Sequence, residues 1–340
     1  MIKMEDIARL AGVSRSAVSL TINDKPGVGP KTREKIFKVI EENDYQPLRK
    51  RHKGKSHYLA SVTFLIITNH QGMVKSNYRS LPFFDNLISA LSKNISAYGG
   101  TTQVQNIESS RIKKDIPALV KEGVLKNTVV LATDLSRQQV QFIKDELKTV
   151  VFVDTYYDDV SADFVTMDNF QGAYNAAEYI LNKGYKNIGY VASDRNISNF
   201  QNRRRGFYQA MKLHKREILP EHFYSISPLM KGADENEIID MLQKSKSLPD
   251  ALFCEDDYIA VRLIKELSNL NIKVPDRVAI MGFDDIYVGQ MISPELTTVH
   301  VPIHQIVNQV LFQLQEQRGM EHWQPQKCLV ATRIVERQSL

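Results

Sequence analysis

At 340 residues, with 43% hydrophobic and 24% charged side chains, the chain can form two or three domains with apolar cores, which excludes an intrinsically disordered protein. The charged N-terminal stretch and the lack of a long apolar run exclude a secretion signal and a membrane span, so we expect a cytoplasmic protein with no membrane partner. The net charge is +5, and the two distant cysteines exclude a disulfide framework and a zinc site, so we predict no metal and no cofactor.

The first two dozen residues predict two short amphipathic helices. Ile7, Leu10 and Ala11 recur at helical spacing and form one apolar stripe, and Val18 and Ile22 do the same further on. Each stripe is narrow, so we expect a small shared core and a free outer face. This pattern fits an ordinary helical hairpin as well as a helix-turn-helix unit that binds DNA.

The turn between these helices has the residues that a tight connection needs. Gly12 can adopt the positive φ of such a turn, Val13 can fill the angle between the helices, and Ser14 is a good N-cap for the second helix. A third helix is predicted to begin at Pro30, to bury Ile36, Val39 and Ile40, and to end near Tyr45.

Charge favours the DNA-binding interpretation of this head. Residues 1–58 contain thirteen Lys and Arg against seven Asp and Glu, so the rest of the chain is close to neutral. A basic head on a neutral body is typical of a phosphate-binding module, because counterions released from the polyanion contribute much of the affinity. Residues 47–58 have no apolar stripe and many like charges, which indicates either a flexible tether or a basic arm that follows DNA.

From residue 59 onward, strand and helix patterns alternate. Strands are predicted at 60–68, 101–105, 128–132, 150–154, 164–167, 188–192, 251–254 and 278–282, and helices at 83–98, 111–122, 136–146, 169–183, 201–214, 234–244 and 257–270. This alternation predicts an α/β core of two doubly wound parallel-sheet lobes. Ligands in such folds bind beyond the carboxyl ends of the strands, so the cleft between the lobes is the expected pocket.

We therefore divide the chain into three parts. Residues 1–46 are an all-α helix-turn-helix domain, 47–58 a basic hinge, and 59–340 a core of two lobes. The first lobe is predicted to comprise about 59–161 and 291–320, and the second about 162–290 and 321–340.

Motifs along the whole chain resemble those of the LacI/GalR family of bacterial transcription regulators. They are Asp6-Ile7-Ala8 with Val18-Ser19, Lys31 to Ile36, Tyr45-Gln46-Pro47, Phe152-Val153-Asp154, Asp168-Asn169 with Gly172-Ala173, Lys183 to Tyr190, Arg203 with Gly206-Phe207, Pro275 to Ile280, Gly282 to Asp285 and Pro294 to Val299. The resemblance implies a lambda-repressor-like head, a periplasmic-binding-protein-like core, and a homodimer on a palindromic double-stranded DNA operator. Such a protein would be associated with the bacterial nucleoid when it is bound.

The resemblance also implies roles for residues of the head. The base-reading positions fall at Arg15, Ser16 and Leu20, where Arg15 suits a guanine edge or a phosphate, and Leu20 either contacts a thymine methyl or simply packs. The positions that contact the DNA backbone fall at Lys3, Ser14, Ser19, Asn23, Lys31 and Thr32.

The hinge departs from the family pattern. It is short, lacks the usual alanines, and contains only Leu48 as a leucine that could wedge into the minor groove. Either Leu48 takes that role at a shifted place, or Arg49, Lys50 and Arg51 bind DNA electrostatically without intercalation; we favour the second alternative.

For the core, the resemblance implies effector contacts at Asp154, Arg203, Asp256 and Asp284. Carboxylates and a guanidinium bind vicinal hydroxyls by paired hydrogen bonds, although Asp154 and Arg203 also fit a purely structural network. Asp256 stands where the family more often has Asn, which favours a neutral polyol over an anion. Tyr78 or Phe83 is predicted to stack on a sugar ring, with Phe83 also suited to a buried helix start.

An enzyme is not predicted, because the adjacent pairs Asp256-Asp257 and Asp284-Asp285 point their carboxyls apart and no nucleophile arrangement occurs. We predict a repressor of carbohydrate-utilisation genes that a small sugar releases. The alternatives are a regulator that needs a co-repressor, either a purine or a partner protein, and a sugar-binding protein with no regulatory role.

Overall fold

The computed structural model describes residues 4–22, 25–42, 59–97, 99–229, 238, 242, 247–320 and 322–340. The chain divides into two compact units, Met1–His57 and Tyr58–Leu340. Lys3, Asn23 and the whole predicted hinge, including Leu48, Arg49, Lys50 and Arg51, lie outside the described residues.

The first unit contains three helices, α1 (Met4–Ala11), α2 (Arg15–Ile22) and α3 (Pro30–Glu42). Ile7, Ala11, Val18 and Ile36 are completely buried in one small cluster. The prediction that Leu10 joins this core was wrong, since Leu10 is 53% exposed. Ala8 is buried in its place. Helix α1 has eight residues and packs against two other helices, so its buried stripe is too narrow to include Leu10 as well.

Among the described residues, the second unit contains twelve strands, and the first nine lie in two parallel sheets. They are β1 (Ser61–Thr68), β2 (Thr101–Glu108), β3 (Thr128–Leu131), β4 (Val150–Val153), β5 (Phe164–Met167), β6 (Ile188–Ser193), β7 (Phe223–Ile226), β8 (Ala251–Cys254) and β9 (Ala279–Met281). Three further strands follow, β10 (Thr298–His300), β11 (Lys327–Val330) and β12 (Arg333–Val335), of which β10 and β12 pair antiparallel. With β11, the first sheet has the order β11-β5-β4-β3-β1-β2, and the second has the order β7-β6-β8-β9.

Helices cover both sheets. They are α4 (Pro82–Ala97), α5 (Ile112–Lys121), α6 (Arg137–Glu146), α7 (Asn169–Asn182), α8 (Ser198–Leu213), α9 (Asp257–Asn269) and α10 (Ile303–Gly319). All eight predicted strands and the predicted helices except 234–244 are confirmed; most of 234–244 lies outside the described residues. The sequence patterns did not predict α10 or the strands β7, β10, β11 and β12. These four strands are only three or four residues long.

The predicted lobe boundaries differ from the observed sheets in three places. Phe164 and Val165 of β5 pair with β4, and β11 pairs with β5, so both strands belong to the first lobe and not to the second. Residues 291–300 belong to the second lobe, where Leu296 is part of the apolar cluster around β8 and α9. Periodicity identifies a strand but does not tell which sheet it joins, because pairing depends on distant residues.

Gly206 shows how closely the helices of the second lobe approach each other. A Cβ atom at this position of α8 would lie 2.1 Å from the carbonyl oxygen of Phe170 in α7. The backbones of α7 and α8 are therefore in direct contact, and this contact fixes the distance of α8 from the sheet. Arg203 lies one turn earlier on α8, so the close contact also positions the cleft described below.

In the part of the chain that the structure describes, no helix has the length and apolarity needed to cross a bilayer. The same residues contain no group of three or more His, Cys, Asp and Glu side chains arranged to hold a metal ion.

Candidate functional site

The head presents its second helix as the sequence predicts. Gly12 has a φ of 62°, and Ser14 caps α2 by accepting a hydrogen bond from the Ala17 amide at 3.1 Å. Arg15 is exposed and pairs with Glu5 of α1 at 3.1 Å. Because both side chains are about two-thirds exposed, this ion pair is weak and leaves Arg15 available to a polyanion.

The other residues predicted to contact DNA are accessible to different degrees. Ser14, Ser16 and Lys31 are exposed, whereas Ser19, Leu20 and Thr32 are half-buried. A Cβ atom on Gly27 would lie 3.5 Å from Leu20, so the leucine already contacts the loop before α3. Both the base-reading and the packing interpretation of Leu20 therefore stay open.

In the second unit, four predicted effector residues meet at one cleft between the lobes. Asp154 follows β4 in the first lobe, whereas Asp256 and Asp284 follow β8 and β9 in the second, and Arg203 projects from α8. All four line a cavity of about 30 Å³, which has room for about one water molecule. The carboxyl ends of both sheets thus point polar side chains into one shared cleft.

Arg203 is buried and fully occupied by protein groups. Its Nε donates to Asn169 Oδ1 at 2.8 Å, Nη1 donates to the carbonyl of Glu255 at 2.5 Å, and Nη2 contacts Asp284 Oδ1 at 2.8 Å. Its guanidinium also lies 3.7 Å from the ring centre of Phe283. This network holds Asp284 in a left-handed backbone conformation, with a φ of 121°, at the edge of the cavity.

Asp154 and Asp256 are held by uncharged donors. Asp154 accepts hydrogen bonds from Thr133 at 2.5 Å and Asn199 at 2.9 Å. Asp256 caps α9, because its Oδ1 accepts from the Ile259 amide at 2.8 Å. Its Oδ2 is buried and has no hydrogen-bond partner among the described residues, which makes it an open acceptor for a ligand.

The two acidic neighbours of Asp256 have structural partners. Glu255 accepts from Tyr190, the Ser193 amide and Arg204. Asp257 accepts from the Ile286 amide at 2.9 Å and from Thr298 at 2.6 Å, so it ties the loop after β9 to β10. Three consecutive acids therefore have three different roles, and only the middle one faces the cleft.

Aromatic side chains form much of the remaining wall. Phe83 and Phe84 come from the start of α4, Phe200 from α8, and Tyr258 from the first turn of α9. The predicted stacking residue Tyr78 is not among them: it is 2% exposed and its hydroxyl bonds to Asn106 at 3.1 Å. The prediction for Tyr78 was wrong because the short 3-10 helix at residues 78–80 turns its ring into the core of the first lobe.

Sequence analysis missed Thr133, Asn199 and Tyr258 as cleft residues. For two of them, a signal is available once the elements are known. Asn199 precedes Arg203 by one helical turn and therefore shares its face of α8, and Thr133 follows β3 as Asp154 follows β4.

Direct hydrogen bonds close this cleft. Asn199 of the second lobe donates to Asp154 of the first, Ser198 donates to the Tyr156 carbonyl at 3.2 Å, and the Phe83 amide donates to the Tyr258 hydroxyl at 3.2 Å. The lobes therefore contact each other across the space where a ligand would bind.

Burial changes the protonation of the cleft carboxyls. It raises the pKa of Asp154 to about 7 and that of Asp256 to about 8, and the nearby charge of Asp284 adds to both shifts. Burial also raises the pKa of Asp284 itself, whereas the adjacent Arg203 charge opposes that shift. A carboxylate that loses water without gaining an ion pair binds its proton more tightly.

We expect the ligand-free core to lose stability through these groups as the pH rises. Because the folded pKa of Asp256 lies above its ordinary value of 3.8, its stabilising contribution is complete below that value and is lost as the pH passes through about 8. The measurement is the Tm of the parent and of Asp256→Asn, whose amide keeps the helix cap. The variant should gain stability relative to the parent as the pH rises from about 5 to about 8.5.

The matched control for this titration is Asp276→Asn, at an exposed position. Its difference from the parent should not change over the same pH range. A difference between parent and Asp256→Asn that stays equally constant would contradict the assignment.

A helix-turn-helix unit and a two-lobed parallel-sheet core with an enclosed polar cleft define a ligand-responsive DNA-binding regulator. A family profile described as "Bacterial regulatory proteins, lacI family" matches residues 3–47, and one described as "Periplasmic binding protein-like domain" matches 177–340. The chain is 25% identical over 303 residues to the HTH-type transcriptional repressor PurR of Pasteurella multocida, which covers 88% of this chain and 87% of that protein.

Solved structures share the same fold. The transcriptional regulator CelR in complex with cellobiose has a TM-score of 0.68 at 20% identity and covers 100% of both chains. The lac repressor dimer bound to operator and the anti-inducer ONPF has a TM-score of 0.69 at 17% identity, covering 99% of this chain and 98% of that one. Residues 3–47 thus match the lacI family of bacterial regulatory proteins, and the chain is a DNA-binding transcriptional regulator and not an enzyme, as predicted.

Proposed function

We propose that this regulator is a homodimeric cytoplasmic repressor of carbohydrate-utilisation genes, and that a small sugar releases it from a palindromic operator. The observation that carries this proposal is the cleft itself. Asp154, Asp256 and Asp284 place acceptors in a space with aromatic walls, which is the combination that binds hydroxyls on one side and the C–H face of a sugar ring on the other.

The charge of the cleft also bears on the class of ligand. Its only guanidinium, among the lining residues, is that of Arg203, which is paired with Asp284. None of the cavity-lining residues is an unpaired cation that could bind a phosphate or carboxylate. A ligand with hydrogen-bond donors therefore fits better than an anion.

For the head, we propose that Arg15, Ser16 and Leu20 of α2 contact bases, and that Ser14, Ser19, Lys31 and Thr32 contact phosphates. Lys3 and Asn23 complete the proposed phosphate contacts, and the hinge residues Arg49, Lys50 and Arg51 add an electrostatic contact without a wedge by Leu48. Two copies related by two-fold symmetry would read successive major grooves of a palindrome.

The closed cleft supports a switch by population shift. The cavity between the hydrogen-bonded lobes is only about 30 Å³, so a sugar that binds there would displace these direct hydrogen bonds and form its own in their place. The effector then favours an arrangement of the lobes that differs from the closed one. It changes operator affinity only by its differential affinity for the two states.

The function is tested by titrating an operator complex. An operator is selected from random duplexes with the full chain, and its affinity is then measured with increasing concentrations of sugars and of purine bases. A repressor that is induced by a sugar should lose operator affinity with at least one sugar and with no purine. Asp284→Asn should weaken that response, because it removes the charge that holds Arg203 in place.

A regulator that needs a co-repressor is the second candidate. Its signature has the opposite sign, since a purine or a partner protein would then strengthen operator binding. A chain that selects no operator at all would instead be a sugar-binding protein without a regulatory role.

A further inference from the structure

The cleft contains more carboxyls than cations. Three carboxyls line the cavity, but Arg203 is the one cation among the lining residues and forms its ion pair with Asp284 at 2.8 Å. Within the described part of the chain, neither Asp154 nor Asp256 forms an ion pair. Burial without a counter-charge raises the pKa of both carboxyls and keeps them largely protonated in the empty cleft below neutral pH, so a positive group that enters would release their protons and pair with the carboxylates.

The open position is at Asp256. This residue is 1% exposed, its Oδ1 is used by the Ile259 amide, and its Oδ2 lies buried without a partner. An asparagine here would place one donor and one acceptor in the cleft, whereas aspartate places acceptors only when it is ionised. An ionised aspartate at this position therefore offers a cation both an acceptor and a counter-charge.

The surrounding walls favour a cation as well. Phe83, Phe84, Phe200 and Tyr258 line the same cavity. Aromatic faces attract ammonium groups, most strongly where water is excluded. Phe200 already lies beside a cation, since the guanidinium of Arg203 is 5.5 Å from its ring centre.

We propose that the effector carries a protonated amino group, which binds Asp256 with Asp154 as a second counter-charge, so that the effector is an amino sugar. This inference rests on the proposed function and specifies its ligand class. An ammonium group supplies three donors and no acceptor, which matches acceptors that have no cationic partner. A neutral hexose supplies hydroxyls but no positive charge, so it gives the Asp256 carboxyl, whose pKa is raised by burial, no counter-charge with which to ionise.

The test is calorimetric titration of the full-length protein at a pH of about 7, where a sugar amine is still largely protonated and Asp256, with a pKa of about 8 in the empty cleft, can release its proton when the ammonium binds. The probes are glucosamine, galactosamine and mannosamine, each compared with its parent hexose and with its N-acetyl derivative, which has the same ring but no charge. At least one amino sugar should bind about tenfold or more tightly than both of its uncharged counterparts.

Asp256→Asn separates the charge effect from general damage to the cleft. The amide keeps the α9 cap and the shape of the site, so the ratio of amino-sugar to hexose affinity should fall towards one. The exposed Asp276→Asn should keep the parent ratio.

The proposal is overturned if none of the three amino sugars binds, if a parent hexose binds as tightly as its amino form, or if the preference survives in Asp256→Asn. If a neutral sugar still releases the operator, the proposed repressor function stands even when the amino-sugar proposal fails. Failure of the proposed function would look different, because the operator complex would then respond to no sugar.

Discussion

Arg203→Ala should destabilise the second unit by about 3–5 kcal/mol, because it leaves buried carboxylates without their only cation. Arg203 is 3% exposed and connects α7, the end of β8 and Asp284 by three hydrogen bonds. The free energy of unfolding is measured by urea denaturation near neutral pH. The loss should be smaller at acidic pH, where the cleft carboxyls are protonated.

Arg205→Ala is the matched control, since Arg205 lies on the same helix but is exposed and outside the cavity. It should change stability by less than about 1 kcal/mol and should leave effector release unchanged. A second variant, Arg203→Lys, keeps the charge and loses the planar fork, so it should fold better than Arg203→Ala and still bind effector weakly. Equal stability of Arg203→Ala and the parent would contradict a structural role for this network.

Arg15→Ala should lower operator affinity about 10- to 100-fold and relax discrimination at one base-pair position, as expected when a bidentate contact to a guanine is removed. Lys31→Ala, also exposed, should instead weaken specific and random duplexes alike, because a phosphate contact has no sequence information. The measurement is the affinity of each variant for the selected operator, for single-base variants of it and for random DNA.

The ion pair between Arg15 and Glu5 provides an internal control for this experiment. Glu5→Gln removes the partner of Arg15 without removing the guanidinium, so it should keep the base preference and leave affinity within a few-fold of the parent. Equal losses on specific and random DNA for both Arg15→Ala and Lys31→Ala would refute the division into base and phosphate contacts.

In this protein, Asp154 links ligand binding to the contact between the lobes. Asp154 ends a strand of one lobe yet bonds to Asn199 of the other, so the same carboxyl serves as a contact between the lobes and as a ligand group. A ligand that takes this acceptor also breaks a bond that holds the lobes together. The effector and the hydrogen bond between the lobes therefore compete for the same carboxyl group. This competition is a direct physical basis for a switch.

Local chemistry was sufficient to predict much of this molecule. The Gly12 turn, the Ser14 cap, the basic head and the alternation of strands and helices all depend on residues a few positions apart. The candidate positions Asp154, Asp256 and Asp284 could also be predicted, because each follows a predicted strand and ligand groups in such folds lie beyond the carboxyl ends of the strands.

Other features depend on contacts between residues far apart in the chain, and no local pattern encodes them. Leu10 and Tyr78 can each lie in the core or at the surface, and tertiary packing exposes Leu10 and buries Tyr78. The pairing of β11 with β5 joins segments about 160 residues apart, and the closeness of the lobes reduces the cleft to about 30 Å³. The free Oδ2 of Asp256 is likewise a property of the assembled core, since a side chain's lack of a partner is known only when all its neighbours are in place.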